Sequence, residues 1–234
     1  MTLLAVIIPI AILGVLVLGA VMFFQRGSAA IDASPRPLLR VYLYLGSLVS
    51  ILVLVVGLAQ TVTGVLGAIA PDFTYGNSEQ PVPPPPVQVD ATTPPSIAPL
   101  RDLQDQNDRR TRESLLQGIT SALAGALFWA VHWYGRRTLE TAEERTSSLR
   151  RGYYLLGTAI FGIASIVLVP MAVYNTLHWF LIPVAQFEFR PGAGESLAAA
   201  IVVVPFWILF LRIVLADYRS GRVPTEPMRT APAS

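Results

Sequence analysis

Long apolar runs that carry no Asp, Glu, Lys or Arg are the dominant feature of this chain of 234 residues. A helix needs about 20 apolar residues to cross the hydrocarbon core of a bilayer, where every backbone polar group must be hydrogen-bonded inside the segment. The last of the five runs has only 16 uncharged residues. It reaches spanning length if the helix continues past Arg212, whose long side chain can snorkel to the interface. The sequence predicts five membrane-spanning helices. Their uncharged runs are 3–24, 41–70, 114–135, 152–187 and 196–211.

The composition agrees with a membrane protein. Charged residues make up 14% of the chain and hydrophobic residues 53%, whereas a typical soluble domain has roughly 25% charged residues. These values exclude an ordinary soluble globular enzyme and a disordered chain. The chain has no cysteine, which excludes disulfides, thiolate metal sites and cysteine nucleophiles.

The distribution of arginine predicts the orientation of the helices. All 17 basic residues are arginine, and twelve of them lie in the connections 25–40, 136–151 and 212–234, which share one side of the membrane. Only five lie on the other side. Connections that are rich in positive charge stay in the cytoplasm, so we expect the N-terminus outside and the C-terminus in the cytoplasm. A cleaved signal peptide is the alternative for the first run, but its positive charges follow the apolar stretch, which favours a retained helix.

A proline-rich segment separates the second and third runs. Residues 71–100 contain nine prolines, three acidic residues and no basic residue. Consecutive prolines favour an extended polyproline II chain, so we interpret this segment as an extracytoplasmic linker, with a partner-docking ligand as the alternative. From about Pro99 the pattern becomes helical and charged, and we expect it to continue into the third span.

The chain also repeats part of its own pattern. The segment that begins Arg40-Val-Tyr42 aligns with the one that begins Arg151-Gly-Tyr153 at an offset of 111, and Phe128-Trp129 aligns with Phe206-Trp207 at an offset of 78. Both hairpins have the same predicted orientation, so a pseudo-symmetry axis would lie along the membrane normal. The sequence thus predicts a duplicated hairpin that forms a four-helix bundle. The predicted units are a first span and loop at 1–39, a first hairpin at 40–137 with a Pro-rich loop at 71–112, a second hairpin at 138–220, and a cytoplasmic tail at 221–234.

Three aromatic motifs resemble a bacterial family of multi-pass membrane proteins. They are the Arg40-x-Tyr-x-Tyr44 start, the Trp129-Ala-Val-His132-Trp133 end of the first hairpin, and the restart at Arg150-Arg-Gly-Tyr153-Tyr154. The family is known only as a domain of unknown function with a duplicated hairpin, and the resemblance covers about residues 38–220. In the second hairpin Phe210-Leu211 stands where His132-Trp133 stands in the first. The resemblance implies an architecture and a location in the bacterial plasma membrane, but no activity.

Small residues recur at spacings that place them on one face of a helix. In lipid, helices associate through close backbone approach at such residues. We therefore interpret them as packing positions rather than as part of a cofactor site. They are Gly46, Ser50, Gly57 and Gly64 in the second span, Gly118 and Gly125 in the third, and Gly162 in the fourth.

The only two histidines, His132 and His178, are predicted near opposite faces of the membrane, which disfavours a shared haem. Each is followed by tryptophan, so we interpret both as interfacial anchors; axial ligation of a haem or pigment by either one is the alternative. No acidic residue falls inside a predicted span, and no phosphate-binding loop, metal set or nucleophile–base pair is present. We expect no enzyme activity, no cofactor and no nucleic-acid partner.

One group of uncharged polar residues lies at similar depth in the outer leaflet, where such groups need hydrogen-bond partners. Hydrogen bonds between helices are the simpler interpretation. The other is an outward-facing pocket for a quinone head or a lipid headgroup. The group consists of Gln60, Thr63, Gln117, Thr120, Asn175 and His178.

Taken together, the sequence predicts an all-α integral membrane protein of five helices. Its expected role is that of a non-catalytic structural or accessory subunit that packs against the lipid bilayer and other membrane subunits. The alternative function is binding or transport of a hydrophobic small molecule through the polar group in the outer leaflet.

Overall fold

The computed structural model describes residues 35–77, 98–139, 148–183 and 190–220, and these are almost entirely helical. The described residues form four long helices, one short helix and one pair of two-residue strands. In chain order the elements are α1 (Pro35–Ile69), α2 (Pro71–Tyr75), β1 (Gly76–Asn77), α3 (Ala98–Leu139), α4 (Ser148–Leu181), β2 (Arg190–Pro191) and α5 (Gly194–Ser220).

Each long helix contains a segment that is long and apolar enough to cross a membrane. The segments are Leu39–Ile69, Gln104–Leu139, Leu149–Leu181 and Gly194–Arg219, with 31, 36, 33 and 26 residues. The prediction of an all-α protein is therefore confirmed for the described residues, and four of its helices are candidate membrane spans. The predicted first span, 3–24, lies outside the described residues, so the count of five spans stays a prediction.

The third span begins far earlier than its apolar run. α3 has 42 residues, so the charged residues from Arg101 onwards and the apolar residues after Ser114 form one continuous helix. The helical pattern that the sequence shows from Pro99 accounts for this start. The predicted Pro-rich loop is correspondingly shorter, because residues 71–75 are α2 and residues from Ala98 onwards are α3.

Helices α1 and α3 pack backbone against backbone. A Cβ atom added at Gly57 would collide with the backbone of Ala122, and one added at Gly125 would collide with the backbone of Leu54. Only glycine allows two helix axes to approach this closely, and close approach is the main source of helix association in lipid. The first hairpin is therefore held by direct contact between main chains.

A separate apolar core joins α1, α4 and α5. It includes Leu48 and Val55 of α1, Phe161 of α4, and Val203 and Phe210 of α5, each with less than 9% of its surface exposed. Two large rings meet at its centre, since the centroids of Phe161 and Phe210 lie 5.4 Å apart. This core links the two hairpins.

At one end of the helices, the segment after α1 is hydrogen-bonded to the segment before α5. Gly76 pairs with Pro191 in an antiparallel bridge between β1 and β2, and its φ of 70° lies in the left-handed region that glycine adopts without strain. The backbone N–H of Ala193 donates a hydrogen bond of 2.8 Å to the carbonyl of Phe73. Thr74 beneath it is completely buried. The loop after α1 is thereby fixed to the start of α5.

The packing order of the long helices is α3, α1, α5, α4. α1 packs most extensively against α3 and next against α5, while α5 packs against α4. Within the described ranges α3 makes no comparable backbone contact with α4 or α5. The two outer helices are thus not packed on each other, and the closed four-helix bundle stays a prediction.

Candidate functional site

The two ends of the helices carry different polar groups, and we name each end by one residue. The Arg136 end is where α1 and α4 begin and α3 and α5 end. The Trp179 end is where α1 and α4 end and α5 begins. Any binding or assembly function of this protein depends on which polar groups are brought together at each end and between the helices.

Arg136 is the centre of an aromatic cluster at its end. Its guanidinium carbon lies 4.8 Å from the ring centroid of Tyr44 on α1 and 5.0 Å from that of Tyr153 on α4. Each such cation–π contact contributes about 0.5–1 kcal/mol when exposed and about 2 kcal/mol when desolvated. The Nη1 atom of Arg136 is buried without a hydrogen-bond partner. The side chain therefore connects three helices through ring faces.

The same cluster contains a hydrogen bond between the hairpins. The hydroxyl oxygens of Ser47 and Tyr153 lie 3.2 Å apart, and Ser47 is fully buried. Tyr44 and Tyr153 both belong to the aromatic motifs that follow Arg40 and Arg150 in the sequence. Their contact with Arg136 of α3 could not be predicted from those motifs, because Tyr153 lies in the other hairpin.

His132 lies in contact with α1. Its Nδ1 atom is 2.7 Å from the carbonyl oxygen of Phe128, so in the neutral ring the proton resides on Nδ1 and the lone pair on Nε2. Nε2 and Cδ2 are the ring atoms nearest to Gly46, close enough to exclude any Cβ there. A metal ion could reach that lone pair only if α1 moved away. The geometry therefore favours a packing role over ligation.

His178 lies near the Trp179 end. Its ring is half-buried beside Tyr174, with 5.8 Å between the two centroids. It follows Tyr153 by 25 positions on α4, which is about 38 Å along a helix at 1.5 Å per residue. The two histidines therefore lie near opposite ends of the helices, and each contacts a tyrosine.

The predicted outer-leaflet polar group is divided among separate surfaces. Gln60 on α1 is half-buried with its Oε1 atom buried and unpartnered, and Thr63 donates a hydrogen bond of 3.0 Å to the carbonyl of Ala59. Gln117 and Thr120 are exposed on α3. No described hydrogen bond joins the residues of α1, α3 and α4 within this group.

The members of the group on α4 are paired within the second hairpin. Asn175 donates a hydrogen bond of 3.1 Å to the hydroxyl of Ser196, which donates one of 3.0 Å to the carbonyl of Ala193. Ser196 is the first residue of the fifth uncharged run, and the polar group predicted from the sequence did not include it. Thr176, the next residue on α4, has its Oγ1 atom buried without a hydrogen-bond partner.

The predicted packing residues lie between helices. Gly46, Gly57 and Gly64 of α1 face His132, Ala122 and Leu115 of α3. Gly118 and Gly125 of α3 face Thr61 and Leu54 of α1, and Gly162 of α4 faces Trp207 of α5. Ser50 donates a hydrogen bond of 2.6 Å to the carbonyl of Gly46 in its own helix.

Positions that the sequence alignment pairs make matching contacts in the two hairpins. Gly157, which aligns with Gly46, faces the ring of Phe210, which aligns with His132. The distances from the added Cβ to the three nearest ring atoms are the same in both hairpins. Tyr42 contacts the His132 ring at a centroid distance of 5.5 Å and an interplanar angle of 51°. Tyr153 contacts the Phe210 ring at 6.0 Å and 51°.

The side-chain contacts described above pack the helices against one another. In the described ranges no three His, Asp or Glu side chains converge so that they could hold a metal ion. Buried hydroxyls donate mostly to backbone carbonyls of their own helix, as Ser165 does to Phe161 at 2.8 Å. Such bonds satisfy polar groups in lipid and leave no activated nucleophile.

Comparison with known proteins gives one match. No curated protein and no solved structure matches this chain. The segment that matches a known family, residues 97–209, contains α3, α4 and most of α5. It is shorter than the range 38–220 that the motifs indicated. Residues 97–209 match the family described as a domain of unknown function, DUF5671, which confirms the resemblance to a family of unknown function.

Proposed function

We propose that this protein is a non-catalytic subunit of a membrane assembly, in which it packs against other membrane components. The observation that carries the proposal is the poor coverage of α3. Only 11% of the residues in the apolar stretch of α3 are buried, against 33%, 22% and 28% for the corresponding stretches of α1, α4 and α5. Outside the face that packs on α1, the described surface of α3 is therefore available for a partner.

The composition of that surface supports a protein partner over lipid. Gln117 and Thr120 are exposed on α3, one helical turn apart, within the predicted span. An uncompensated amide or hydroxyl in an apolar medium costs about 2–7 kcal/mol, and a hydrogen bond between membrane helices contributes about 0.6 kcal/mol on average. A protein partner, whose side chains or backbone carbonyls can accept hydrogen bonds from this face, is therefore favoured over hydrocarbon.

The topology belongs to the same proposal. We propose five spans, with residues 3–24 as the first, the N-terminus outside and the C-terminus in the cytoplasm of a bacterial plasma membrane. The asymmetric arginine distribution supports this orientation. We also propose that residues 40–137 and 138–220 are repeats of one hairpin. The matching contacts of Gly46 with His132 and of Gly157 with Phe210 support that duplication.

Purification from native membranes in a mild detergent tests the proposed role. The expected result is a particle that contains at least one polypeptide in addition to a single copy of this chain. The mass of the particle should fall when Gln117→Leu and Thr120→Val are introduced together. Thr63→Val is the matched control, because Thr63 bonds its own helix and is buried. A monodisperse monomer without any protein partner would contradict the proposal.

A second candidate function rests on two other atoms. The Oε1 atom of Gln60 and the Oγ1 atom of Thr176 are buried without hydrogen-bond partners, and a bound quinone or lipid headgroup would satisfy such groups. Mass spectrometry of molecules extracted from the purified protein tests this function. Stoichiometric quinone or lipid that is lost in Gln60→Leu would support it, and an extract without such a molecule would exclude it.

A further inference from the structure

The contact between the two hairpins is one-sided. α1 of the first hairpin packs on α5 of the second. Under the proposed duplication α1 corresponds to α4 and α3 corresponds to α5. A two-fold axis would convert the α1–α5 contact into an equally extensive contact between α4 and α3, whereas in the described residues these two helices meet chiefly where Arg136 lies over the ring of Tyr153. The interface between the hairpins is therefore heterologous, that is, head-to-tail.

A heterologous interface between repeats leaves one unused copy of each of its two surfaces. The surface of α1 that packs on α5 has its counterpart on α4, and the surface of α5 that packs on α1 has its counterpart on α3. These two counterparts occupy the positions of two surfaces that fit together inside the chain, so the duplication predicts that they pack on each other.

On α4 the counterpart surface is exposed and retains an apolar pattern. Leu48 and Val55 of α1 are buried, with 1% and 4% of their surface exposed, in the core that α1 shares with α5. Their counterparts at the offset of 111 are Ala159 and Ile166, both exposed, and Ile166 has 75% of its surface free. This surface lies on the side of α4 opposite to Gly157, which faces α5.

On α3 the counterpart surface includes the exposed polar residues already described. Ala198 and Val202 of α5 are buried, with 0% and 8% exposed. They lie about 120–160° around the helix from Ser196, which bonds α4. Val202 belongs to the core shared with α1. At the offset of 78 their counterparts are Thr120 and Ala124.

We propose that the outer face of α3 (Gln117, Thr120, Ala124 and Phe128) binds the outer face of α4 (Ala159, Ile163, Ile166 and Val173) of a second copy of this chain. This inference rests on the proposed duplication and names the partner in the proposed assembly. With a repeat axis along the membrane normal, head-to-tail contacts close into a ring when the rotation between neighbouring hairpins divides a full turn. Two copies supply four hairpins, and each free face is then used once.

The absence of cysteine from the chain makes a direct test simple. Ile166→Cys and Ala124→Cys are introduced into two differently tagged full-length copies, which are expressed together and crosslinked with a short bismaleimide in native membranes. These positions correspond to Val55 and Val202, which share the core inside the chain. The expected result is a crosslinked pair that contains both tags, and little product when either variant is expressed alone.

Leu209→Cys is the matched control for Ile166→Cys, because Leu209 is apolar, is 53% exposed and lies on α5. It should not crosslink to Ala124→Cys. Self-crosslinking of Ile166→Cys would overturn the proposal, since it requires α4 to meet α4. An intrachain crosslink between Ile166→Cys and a cysteine introduced at Val17 would also overturn it, because the first apolar run would then cover α4.

The outcomes for the two proposals are separable. A chain that crosslinks only to a different polypeptide through Ala124→Cys would overturn self-association and leave the proposed role as a subunit intact. A chain that crosslinks to no protein at all and has the mass of a monomer would overturn both.

Discussion

Replacing Gly57 with alanine tests whether α1 and α3 are held by backbone contact. The added Cβ would meet the backbone N and Cα atoms of Ala122 and the carbonyl carbon of Ser121. None of these atoms can move away by a side-chain rotation, so the two helices must separate. Overpacking of this kind costs about 1–3 kcal/mol or more, and separation also weakens the close contacts at Gly118 and Gly125 along the same interface.

Helix propensity acts in the opposite direction and must be subtracted. Alanine is favoured over glycine in a helix by about 1 kcal/mol. Gly152→Ala isolates this gain, because a Cβ at Gly152 meets no atom within 4 Å. We expect Gly57→Ala to be about 1–3 kcal/mol less stable than Gly152→Ala. Gly57→Ala should lower the free energy of unfolding by up to about 2 kcal/mol once the propensity gain is included, while Gly152→Ala leaves it unchanged or raises it.

Reversible unfolding in mixed micelles with a rising fraction of sodium dodecyl sulfate measures these free energies. Helical circular dichroism and tryptophan fluorescence should report the same transition for each variant. If Gly57→Ala proved as stable as Gly152→Ala, the proposed backbone contact between α1 and α3 would be refuted. A crosslink between cysteines at Leu54 and Ala126 then provides an independent measure of the separation.

Three further predictions concern the contacts between rings and glycines and the buried hydroxyl pair. Gly46→Ala should destabilise the protein, and His132→Ala should relieve part of that loss, because the three atoms nearest the added Cβ all belong to the His132 ring. A double-mutant cycle should give a coupling of about 0.5–3 kcal/mol. Gly157→Ala and Phe210→Ala should show a coupling of similar size, and a coupling near zero at either pair would contradict the matching contacts. Tyr153→Phe should cost about 1 kcal/mol, because it leaves the buried Ser47 hydroxyl without its partner.

The helices could be predicted from the sequence because membrane spans depend on composition over a long window. Uncharged runs found four of them, and the helical charged pattern after Pro99 correctly indicated the long start of α3. The spacing of Gly57, Gly118 and Gly125 also identified positions that lie at the interface of α1 and α3. These features are local, since each can be read from one segment without knowing its neighbours.

The grouping of polar residues needed information that one segment does not contain. Counting from the helix start predicts the depth of Gln117 and Asn175, but not the direction around the helix in which each side chain points. In the structure Gln117 is exposed on α3, whereas Asn175 bonds Ser196 across α4 and α5. Which helices are neighbours depends on packing between hairpins, and a depth count cannot supply that order.

The Arg136 cluster was missed for a related reason. An arginine just after a span is usually explained by the positive-inside rule, and tyrosine nearby by the aromatic belt. Both explanations describe a side chain against lipid headgroups. In the structure Tyr44 and Tyr153 belong to different hairpins and meet at one guanidinium, a contact that appears only once the hairpins are packed.

The proposed role requires that protein, rather than lipid, covers the outer face of α3. Oxygen accessibility of a spin label attached at Ala124→Cys in native membranes distinguishes the two coverings, with a label at Leu209→Cys, which is 53% exposed on α5, as the reference. We expect the label on α3 to be several-fold less accessible to oxygen than the label on α5. Equal accessibility of the two labels would show that lipid covers α3 and would contradict the proposed role.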